Sequence, residues 1–308
     1  MTSAILEAAR SQSDAGASSP HTPGRLTGEQ HGVEPKPQPQ FQALLVDALT
    51  TPGRVSEAYS LFHGYSIGNA LWVAEQLACR GEPLAPIATF NRWRELGRMV
   101  KKGSKALCMS MPVAVKAKTD QAARAQADET DATPGRFVFF VARRNWFALH
   151  QTEPVEGAEP QTIETARPDW NAERALEALK ITREDFQHMD GNVQGYARPA
   201  ECTVAVSPLA SLPHKTLFHE LAHCLLHAGE SRIVDGVELG RDVREVEAEA
   251  TAFICCAVLG LPGLEESRGY VQAWLAGTDT AEFADRHARR IFGAADRILK
   301  AGRAAAAA

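Results

Sequence analysis

Apolar residues recur with a helical period in several segments of the chain. In the stretch TLFHELAHCLLH, Thr216–His227, they occupy positions i, i+1, i+4 and i+5 and continue one turn later, which predicts a helix. A second helix is predicted over Arg244–Gly260, where Gly260 is a stop signal followed closely by Pro262. The same pattern predicts a helix that begins near Phe41. It also predicts helices over Ser56–Arg80, Thr89–Leu96 and Ala172–Leu179, and two more after Gly260.

Other segments are rich in β-branched and aromatic residues and predict strands. The predicted strands are KALCMSMPVAVK (105–116), RFVFFVA (136–142), WFALH (146–150) and the region ECTVAVSP (201–208). The polar segment between the first two strands is interpreted as a long exposed hairpin loop. The run Phe137–Phe140 is interpreted mainly as a core strand.

The order of these elements predicts an α+β fold with two domains. Residues 1–40 are rich in Ser, Pro, Gly and Gln and form a tail that we expect to be disordered. Residues 41–151 are predicted to form an α+β N-terminal domain, and residues 152–168, rich in Pro and acidic residues, a linker. Residues 169–308 are predicted to form a mainly helical C-terminal domain. A length of 308 residues fits two domains better than one.

Composition places the chain among ordinary globular proteins. Hydrophobic residues make up 44% and charged residues 23%, and no apolar run is long enough to span a membrane. The first residues lack the pattern of a signal peptide. The six cysteines are scattered without a C-x-x-C pair, which is typical of a reducing compartment. We therefore expect a cytoplasmic protein with no membrane partner.

The formal net charge of −5 is unevenly distributed along the chain. Residues 54–150 contain 14 Lys and Arg against 8 Asp and Glu, a charge of +6. Residues 151–308 contain 16 against 25, a charge of −9. A basic part joined to an acidic part indicates separate partners for the two, and a local basic surface can bind a polyanion.

The predicted helix Thr216–His227 carries the pattern H-E-x-x-H. His219 and His223 are four residues apart and share a helix face, so both imidazoles can bind one Zn²⁺. Zinc lowers the pKa of a coordinated water, and Glu220 is the predicted general base that acts on that water. His227 lies one turn further along, beyond the expected reach of the ion. The alternative is a chance pattern of ordinary histidines on a helix.

A catalytic zinc of this kind needs a third protein ligand. In the predicted helix Arg244–Gly260, Glu245 and Glu249 share a face that includes small alanines, whereas Glu247 lies elsewhere and is the weaker candidate. A solvated acidic helix face is the alternative interpretation.

The two predicted helices together resemble the gluzincin metalloproteases, notably the ImmA/IrrE branch. The resemblance rests on H-E-x-x-H followed by a helix with a Glu-x-x-Ala-(acidic or amide) pattern. It implies a metallopeptidase with Glu245 as the third metal ligand and Glu249 as the carboxylate that supports a ligating histidine. The swapped roles of Glu245 and Glu249 stay open. The expected cofactor is Zn²⁺, with Mn²⁺ or another divalent metal as the alternative.

The stretch FNRWRELGRMVKKGSKALCM (90–109) interleaves aromatic and basic residues. This pattern suits single-stranded nucleic acid, because bases stack on rings while cations follow the phosphates. Gly103 would allow the backbone to turn closely at a phosphate. The candidate nucleic-acid-binding residues are Tyr65, Asn69, Trp93, Arg98, Lys101, Lys102 and Lys105. The alternative is that the tryptophan packs in the core and the lysines form a solvated turn.

The motifs in order resemble the ArdC-like antirestriction family of conjugative plasmids. They are Tyr65-x-x-Gly68-Asn69, Trp93, Gly97, VKKG (100–103), Lys105, WFALHQT, TLFHELAH and EAEATAF, over about residues 41–260. The resemblance implies an N-terminal domain that binds single-stranded DNA, a C-terminal zincin-like metallopeptidase domain and a role in protecting incoming plasmid DNA. Where many relatives have paired tyrosines, this chain has only Tyr196.

Three functions are therefore compared. The leading one is an antirestriction protein that binds single-stranded DNA and carries a zinc peptidase, with an unknown protein substrate such as a host restriction component. The second is a regulatory metalloprotease that cleaves a repressor or a restriction subunit. The third is a DNA-binding module with a non-catalytic metal site, against which Glu220 argues, because a structural site needs no general base.

Overall fold

The computed structural model of this chain describes residues 38–116, 136–159, 161, 163, 169–187, 192–234, 236–265, 267–269 and 281–304. Most of the predicted tail, the predicted hairpin loop and part of the predicted linker lie outside these residues. Within the described part of the chain, no helix is both long and apolar enough to cross a membrane.

Helices and strands alternate along the chain, so the α+β composition is as predicted. The helices are α1 (Phe41–Thr50), α2 (Arg54–Phe62), α3 (Ile67–Cys79), α4 (Phe90–Glu95), α5 (Ala172–Leu179), α6 (Pro213–Leu226), α7 (Arg241–Leu259) and α8 (Ala281–Ala301). The strands are β1 (Ile87–Thr89), β2 (Arg98–Val100), β3 (Leu107–Lys116), β4 (Arg136–Ala148), β5 (Thr152–Pro154), β6 (Thr182–Arg183), β7 (Gly195–Arg198), β8 (Thr203–Val206), β9 (Ile233–Val234) and β10 (Val237–Glu238).

The helix predicted over Ser56–Arg80 is in fact two helices, α2 and α3. The chain leaves α2 at Phe62 and turns through Gly64. Ser66 then begins α3, because its side-chain hydroxyl accepts the backbone N–H of Asn69 at 3.3 Å. Apolar periodicity continues across the turn, which is why the sequence pattern does not reveal the break.

β3 and β4 form an antiparallel hairpin, as predicted. The two strands predicted at residues 136–142 and 146–150 are wrong as separate elements, because β4 runs without interruption from Arg136 to Ala148. β4 can be this long because β3 pairs along most of it and β1 pairs with its last residues, which gives the strand order β1-β4-β3. The polar residues in the middle of this strand interrupt the apolar pattern, although the pairing continues through them.

The C-terminal half is built on the antiparallel contact of α6 and α7. α6 also packs on the sheet β6-β8-β7, in which β7 is an edge strand that pairs antiparallel with β8. α7 ends where Gly260 adopts a left-handed conformation with φ 68°, the stop predicted from sequence.

α8 contributes to both halves of the chain. It packs against α6 and α7 on one side and against α1 and α3 on the other. Asp296 of α8 accepts the backbone N–H of Ile67 at the start of α3, and Asp285 accepts that of Gln42 in α1. One hydrophobic core therefore includes residues from both predicted domains, within a compact unit from Lys36 to Ala308. The predicted domain boundaries themselves stay a prediction.

Candidate functional site

The two predicted ligand histidines lie on α6. Pro213 occupies the first turn of this helix, where its missing N–H is not needed. Leu217, Phe218 and Leu221 are buried and fix the helix against the core. His219 and His223, four residues apart, consequently face α7 one turn from each other, with their ring centroids 4.8 Å apart.

α7 presents its acidic residues to this face of α6. Ala248 and Ala252 are fully buried, and their small side chains allow the two helices to approach closely, as the sequence predicted. Glu245 and Glu249 are four residues apart; Glu245 reaches both histidines of α6, and Glu249 reaches His219.

His219, His223 and Glu245 come together around one point. The Nε2 atoms of the two histidines are 3.1 Å apart, and Glu245 Oε2 lies 3.4 Å from His219 Nε2 and 3.7 Å from His223 Nε2. A tetrahedral zinc with bonds of 2.0–2.1 Å separates neighbouring ligand atoms by about 3.4 Å. Two imidazole nitrogens and a carboxylate oxygen in this triangle fit a divalent metal, and the three residues could hold one.

The remaining ring nitrogens are held by other side chains. His219 Nδ1 lies 3.2 Å from Glu249 Oε2, and Glu249 Oε1 in turn lies 2.7 Å from Lys215 Nζ. His223 Nδ1 lies 2.9 Å from Nδ1 of His227. Both Nε2 atoms are thereby directed at the triangle. Glu245 Oε2 lies near both Nε2 atoms, whereas Glu249 contacts Nδ1 of His219, an arrangement that fits the predicted roles; which of the two binds a metal stays a prediction.

The ligands differ in their affinity for protons. Burial lowers the pKa of His219, but the hydrogen bonds that its ring donates to Glu245 and Glu249 outweigh burial and raise this pKa to about 9. Burial and the neighbouring imidazoles lower the pKa of His223 to about 4. The hydrogen bond from His219 lowers the pKa of Glu245 to about 2. A cation that binds here must displace the proton of His219, so its affinity should increase with pH.

Glu220 lies on the wall of a cavity of about 310 Å³ that adjoins the triangle. The cavity is lined by Gln194, Gly195, Ser211, Leu212, Lys215, Thr216, His219, Glu220 and Glu249. Burial raises the pKa of Glu220 to about 7; the charge of His219 opposes this shift and that of Glu245 adds to it. A carboxyl group with this pKa can both accept and donate a proton near neutral pH.

Sequence reasoning missed a buried polar cluster behind the triangle. Glu247, expected to lie away from the site, has a fully buried side chain that contacts His227, His287 and Arg290. The available signal was an acidic residue flanked by apolar ones within a helix that ends in an entirely apolar run. His287 and Arg290 gave no signal, since they lie 40 and more residues further along the chain.

Two of the predicted nucleic-acid-binding residues support the N-terminal structure. The Asn69 side-chain amide donates to the carbonyl of Ser110 at 3.0 Å and accepts its N–H at 2.8 Å, which joins α3 to β3. Tyr65 is partly buried, and its ring meets that of Trp146 edge to face at 6.4 Å. Both residues therefore have structural contacts, whatever else they bind.

Trp93 requires a correction. Its ring is only 1% exposed and packs with Ala88 and Leu96, and its Nε1–H donates to the carbonyl of Phe147 at 2.8 Å. A base cannot stack on a ring that is enclosed in this way, so Trp93 is a core residue in this structure. The aromatic-basic pattern of the sequence could not distinguish the buried ring from the exposed cations around it.

The predicted basic residues border a shallow cleft. Lys101, Lys102 and Lys105 are exposed on the loop after β2, and the turn between them places Gly103 at φ 87°. Arg98 lies beside this loop but donates to the hydroxyl of Thr152 at 2.8 Å. The Lys101 ammonium donates to the carbonyl of His150 at 3.0 Å, so Lys101 and Arg98 are both partly used within the fold, and Lys102 and Lys105 offer the exposed charges.

Among the side chains that the structure describes, the exposed rings of the N-terminal half lie on β4 and at the start of α4. Phe139 and Phe140 are 47% and 58% exposed, although the sequence predicts a core strand there. Arg143 and Arg144 follow on the same strand and are exposed as well. Phe90, also exposed, meets the ring of Phe147. These rings, not Trp93, are accessible for stacking.

Comparison with known proteins finds a family match within the N-terminal half. Residues 47–147 match the family described as the N-terminal domain of anti-restriction factor ArdC. No curated protein matches the sequence. The chain is similar to the metal-free crystal structure of the antirestriction protein ArdC from plasmid R388, with 20% identity, a TM-score of 0.49, and coverage of 85% of this chain and 97% of that one. The Mn(II)-bound structure gives 19% identity and a TM-score of 0.48 with the same coverage. The family match thus covers residues 47–147, which resemble the N-terminal domain of anti-restriction factor ArdC.

Proposed function

We propose that this protein binds single-stranded DNA and hydrolyses peptide bonds at a divalent-metal centre, with zinc as the expected metal, and that it acts in antirestriction. The observation that supports the proposal is the convergence of His219, His223 and Glu245 on one point, with Glu220 on the wall of the adjoining cavity. Three ligands that leave a position open, beside a general base, favour a catalytic centre over a structural one.

The chemistry rests on proton transfer by Glu220. When bound, a divalent cation supplies positive charge that lowers the pKa of water and polarises a carbonyl. The Glu220 carboxylate accepts a proton as the water oxygen attacks the peptide carbonyl carbon. The same proton passes to the leaving nitrogen as the C–N bond breaks, so one water is consumed and a carboxyl and an amine group are formed. A pKa of about 7 supports both transfers.

The strand edge beside the cavity supports an extended peptide as substrate. β7 is an edge strand of its described sheet, and its first residue, Gly195, lines the cavity together with Glu220. An edge strand can bind an extended chain through main-chain hydrogen bonds. Since such bonds carry little sequence information, the side chains that line the cavity would select the substrate.

The surface around β4 and the loop after β2 supports binding of single-stranded DNA. Phe139 and Phe140 offer exposed rings, and Arg143 and Arg144 offer cations on the same strand. The exposed lysines after β2 add positive charge. Rings that stack with bases beside cations that follow phosphates bind single strands with little sequence preference.

Metal analysis tests the proposed centre. We expect about one zinc per chain, a sharp loss of zinc in His223→Ala, and no loss in His214→Ala, which removes an exposed histidine from the same helix. Glu220→Ala should retain zinc and lose peptide hydrolysis, because Glu220 is a base and not a ligand. Full zinc content in His223→Ala would show that the assignment is wrong.

A binding titration tests the nucleic-acid surface. Stacking contributes about 1–3 kcal/mol per base, so replacing Phe139 and Phe140 by alanine should weaken binding of a labelled oligo-dT roughly tenfold or more. Leu209→Ala is the matched control, since it removes an apolar side chain that is 86% exposed in the other half of the chain. Equal affinities for single-stranded and duplex DNA would contradict the stacking mechanism.

A further inference from the structure

Behind the proposed metal centre lies a carboxylate that is fully enclosed. The Glu247 side chain is 0% exposed. Its Oε1 lies 2.6 Å from His287 Nδ1 and 2.8 Å from Arg290 Nε, and its Oε2 lies 2.9 Å from His227 Nε2. All three partners are nitrogen atoms that can donate, and the Arg290 guanidinium is always charged, so Glu247 accepts a hydrogen bond from each of them as a carboxylate.

This carboxylate is linked to the metal centre through two imidazoles. His227 Nε2 contacts Glu247, and His227 Nδ1 lies 2.9 Å from His223 Nδ1. The second contact is short enough for a hydrogen bond, so one nitrogen must donate and the other must accept.

The positions of the protons follow from the two ends of this series of hydrogen bonds. Glu247 accepts at one end, so His227 must carry its proton on Nε2 and leave a lone pair on Nδ1. His223 must then donate from Nδ1, which leaves the lone pair of its Nε2 facing the triangle. One buried charge thus determines the tautomers of both histidines, and the tautomer it selects for His223 is the one that can bind a metal.

We infer that His227 and Glu247 are positioning residues that hold His223 as its Nδ1–H tautomer with the Nε2 lone pair directed at the metal. The inference rests on the metal centre proposed above and adds the residues that prepare one of its ligands. His219 is held in one step by Glu249, whereas His223 is held in two steps, through the imidazole of His227.

Glu247, His227 and His223 form a relay of hydrogen bonds, and Arg290 connects this relay to α8. Its Nε donates to Glu247, and its Nη2 donates to the carbonyls of Leu226 and Ser231 at 2.8 and 2.9 Å. The same guanidinium thus fixes the carboxylate and the chain that leaves α6 beside His227. The end of α6 and the orientation of the relay therefore depend on one residue of α8.

Two matched substitutions separate positioning from a general structural role. His227→Phe removes the link between Glu247 and His223, whereas His287→Phe removes a hydrogen bond from the same carboxylate without touching His223. Both residues are buried, so the cost of each substitution to the fold is similar in kind. His227→Gln is the conservative variant, since its amide can accept from His223 and donate to Glu247.

Zinc affinity is measured by competition with a chelator on the full-length proteins. We expect His227→Phe to bind zinc about 10–100-fold more weakly than the wild type, with His287→Phe close to the wild type and His227→Gln between the two. Equal losses in His227→Phe and His287→Phe would overturn the inference, because they would indicate a structural effect only.

The histidine tautomers are measured by long-range ¹H–¹⁵N NMR on the metal-free wild-type protein. We expect His223 with its proton on Nδ1 and His227 with its proton on Nε2; the opposite tautomers would overturn the inference, and this result does not depend on a variant that folds. A wild-type protein that shows the expected tautomers but binds no zinc would refute the proposed metal centre instead. The two failures are therefore distinguishable.

Discussion

Replacing Gly195 by alanine is expected to disturb the contact between β7 and the helix that carries the metal ligands. A Cβ atom at this position would lie 2.5 Å from Thr216 Cγ2, 2.9 Å from the backbone oxygen of Ala205 and 3.1 Å from Glu220 Oε1. Non-bonded carbon atoms prefer separations of about 3.5–4.0 Å, so the methyl group is about 1 Å too close to Thr216. The Thr216 side chain can rotate, but the backbone of Ala205 cannot yield without moving β8.

The expected consequence is a loss of stability and of peptidase activity with the metal retained. Overpacking of this kind costs about 1–3 kcal/mol, and each kcal/mol lowers the melting temperature by about 2–4 °C in a chain of this size class. A shift of about 1 Å between Glu220 and β7 should reduce hydrolysis about 100-fold. Zinc affinity should stay unchanged, because the three atoms nearest to the methyl group belong to none of the proposed ligands.

The assays are thermal unfolding, zinc titration and cleavage of a quenched-fluorescent peptide library. Gly293→Ala is the matched control: it makes the same change on the exposed face of α8, where a Cβ meets nothing within 4 Å. The free energy of unfolding of that variant should be about 0.5–1 kcal/mol higher, since alanine restricts the unfolded chain and favours the helix. If Gly195→Ala were as stable and active as the wild type, neither stability nor hydrolysis would depend on the close approach of β7 to Glu220.

Three further results follow from the fold and the site. Glu220→Ala should leave binding of single-stranded DNA unchanged, because Glu220 lies away from the exposed rings of β4; a several-fold weaker affinity at constant salt would show that the two sites are coupled. Trp93→Phe should lower the melting temperature and leave oligo-dT affinity intact, since the ring is buried; the reverse pattern would restore it as a stacking residue. Burial raises the pKa of Asp296 from its ordinary 3.8 to about 6, so the ionised carboxylate costs stability above pH 6 and this cost disappears as the pH falls towards 4. Asp296→Asn keeps an acceptor for the N–H of Ile67 and should therefore be more stable at pH 8, by up to about 3 kcal/mol, and no more stable at pH 4, measured by denaturant unfolding at both pH values.

Sequence alone was sufficient where a local period decides geometry. His219 and His223 share a face because any helix brings residues i and i+4 together, and Glu245 and Glu249 do so for the same reason. The stop of α7 at Gly260 also follows from a local property, the freedom of glycine to adopt a left-handed conformation. The residues of the candidate metal centre are therefore contained in two short helical segments whose periodicity is visible in the sequence.

Exposure was not decided locally, and there the sequence misled. Trp93 stands among basic neighbours and Phe140 in an apolar run, and each pattern is compatible with a buried or with an exposed ring. One is enclosed by its contacts with β4 and the other lies on the surface, because the burial of a ring depends on which distant strands and helices pack over it.

The relay behind His223 was likewise set only by tertiary structure. The positions of His227 and Glu247 in their helices could be read from the sequence, but the residues that face them from α8 could not. His287 and Arg290 reach Glu247 across 40 and 43 positions of the chain, and only the packing of α8 against α7 places them there. Helical periodicity fixes which side chains share a face, whereas the partner of each face is chosen by burial of apolar surface over the whole fold. The sequence thus determined the proposed ligands, and the tertiary structure determined what orients them.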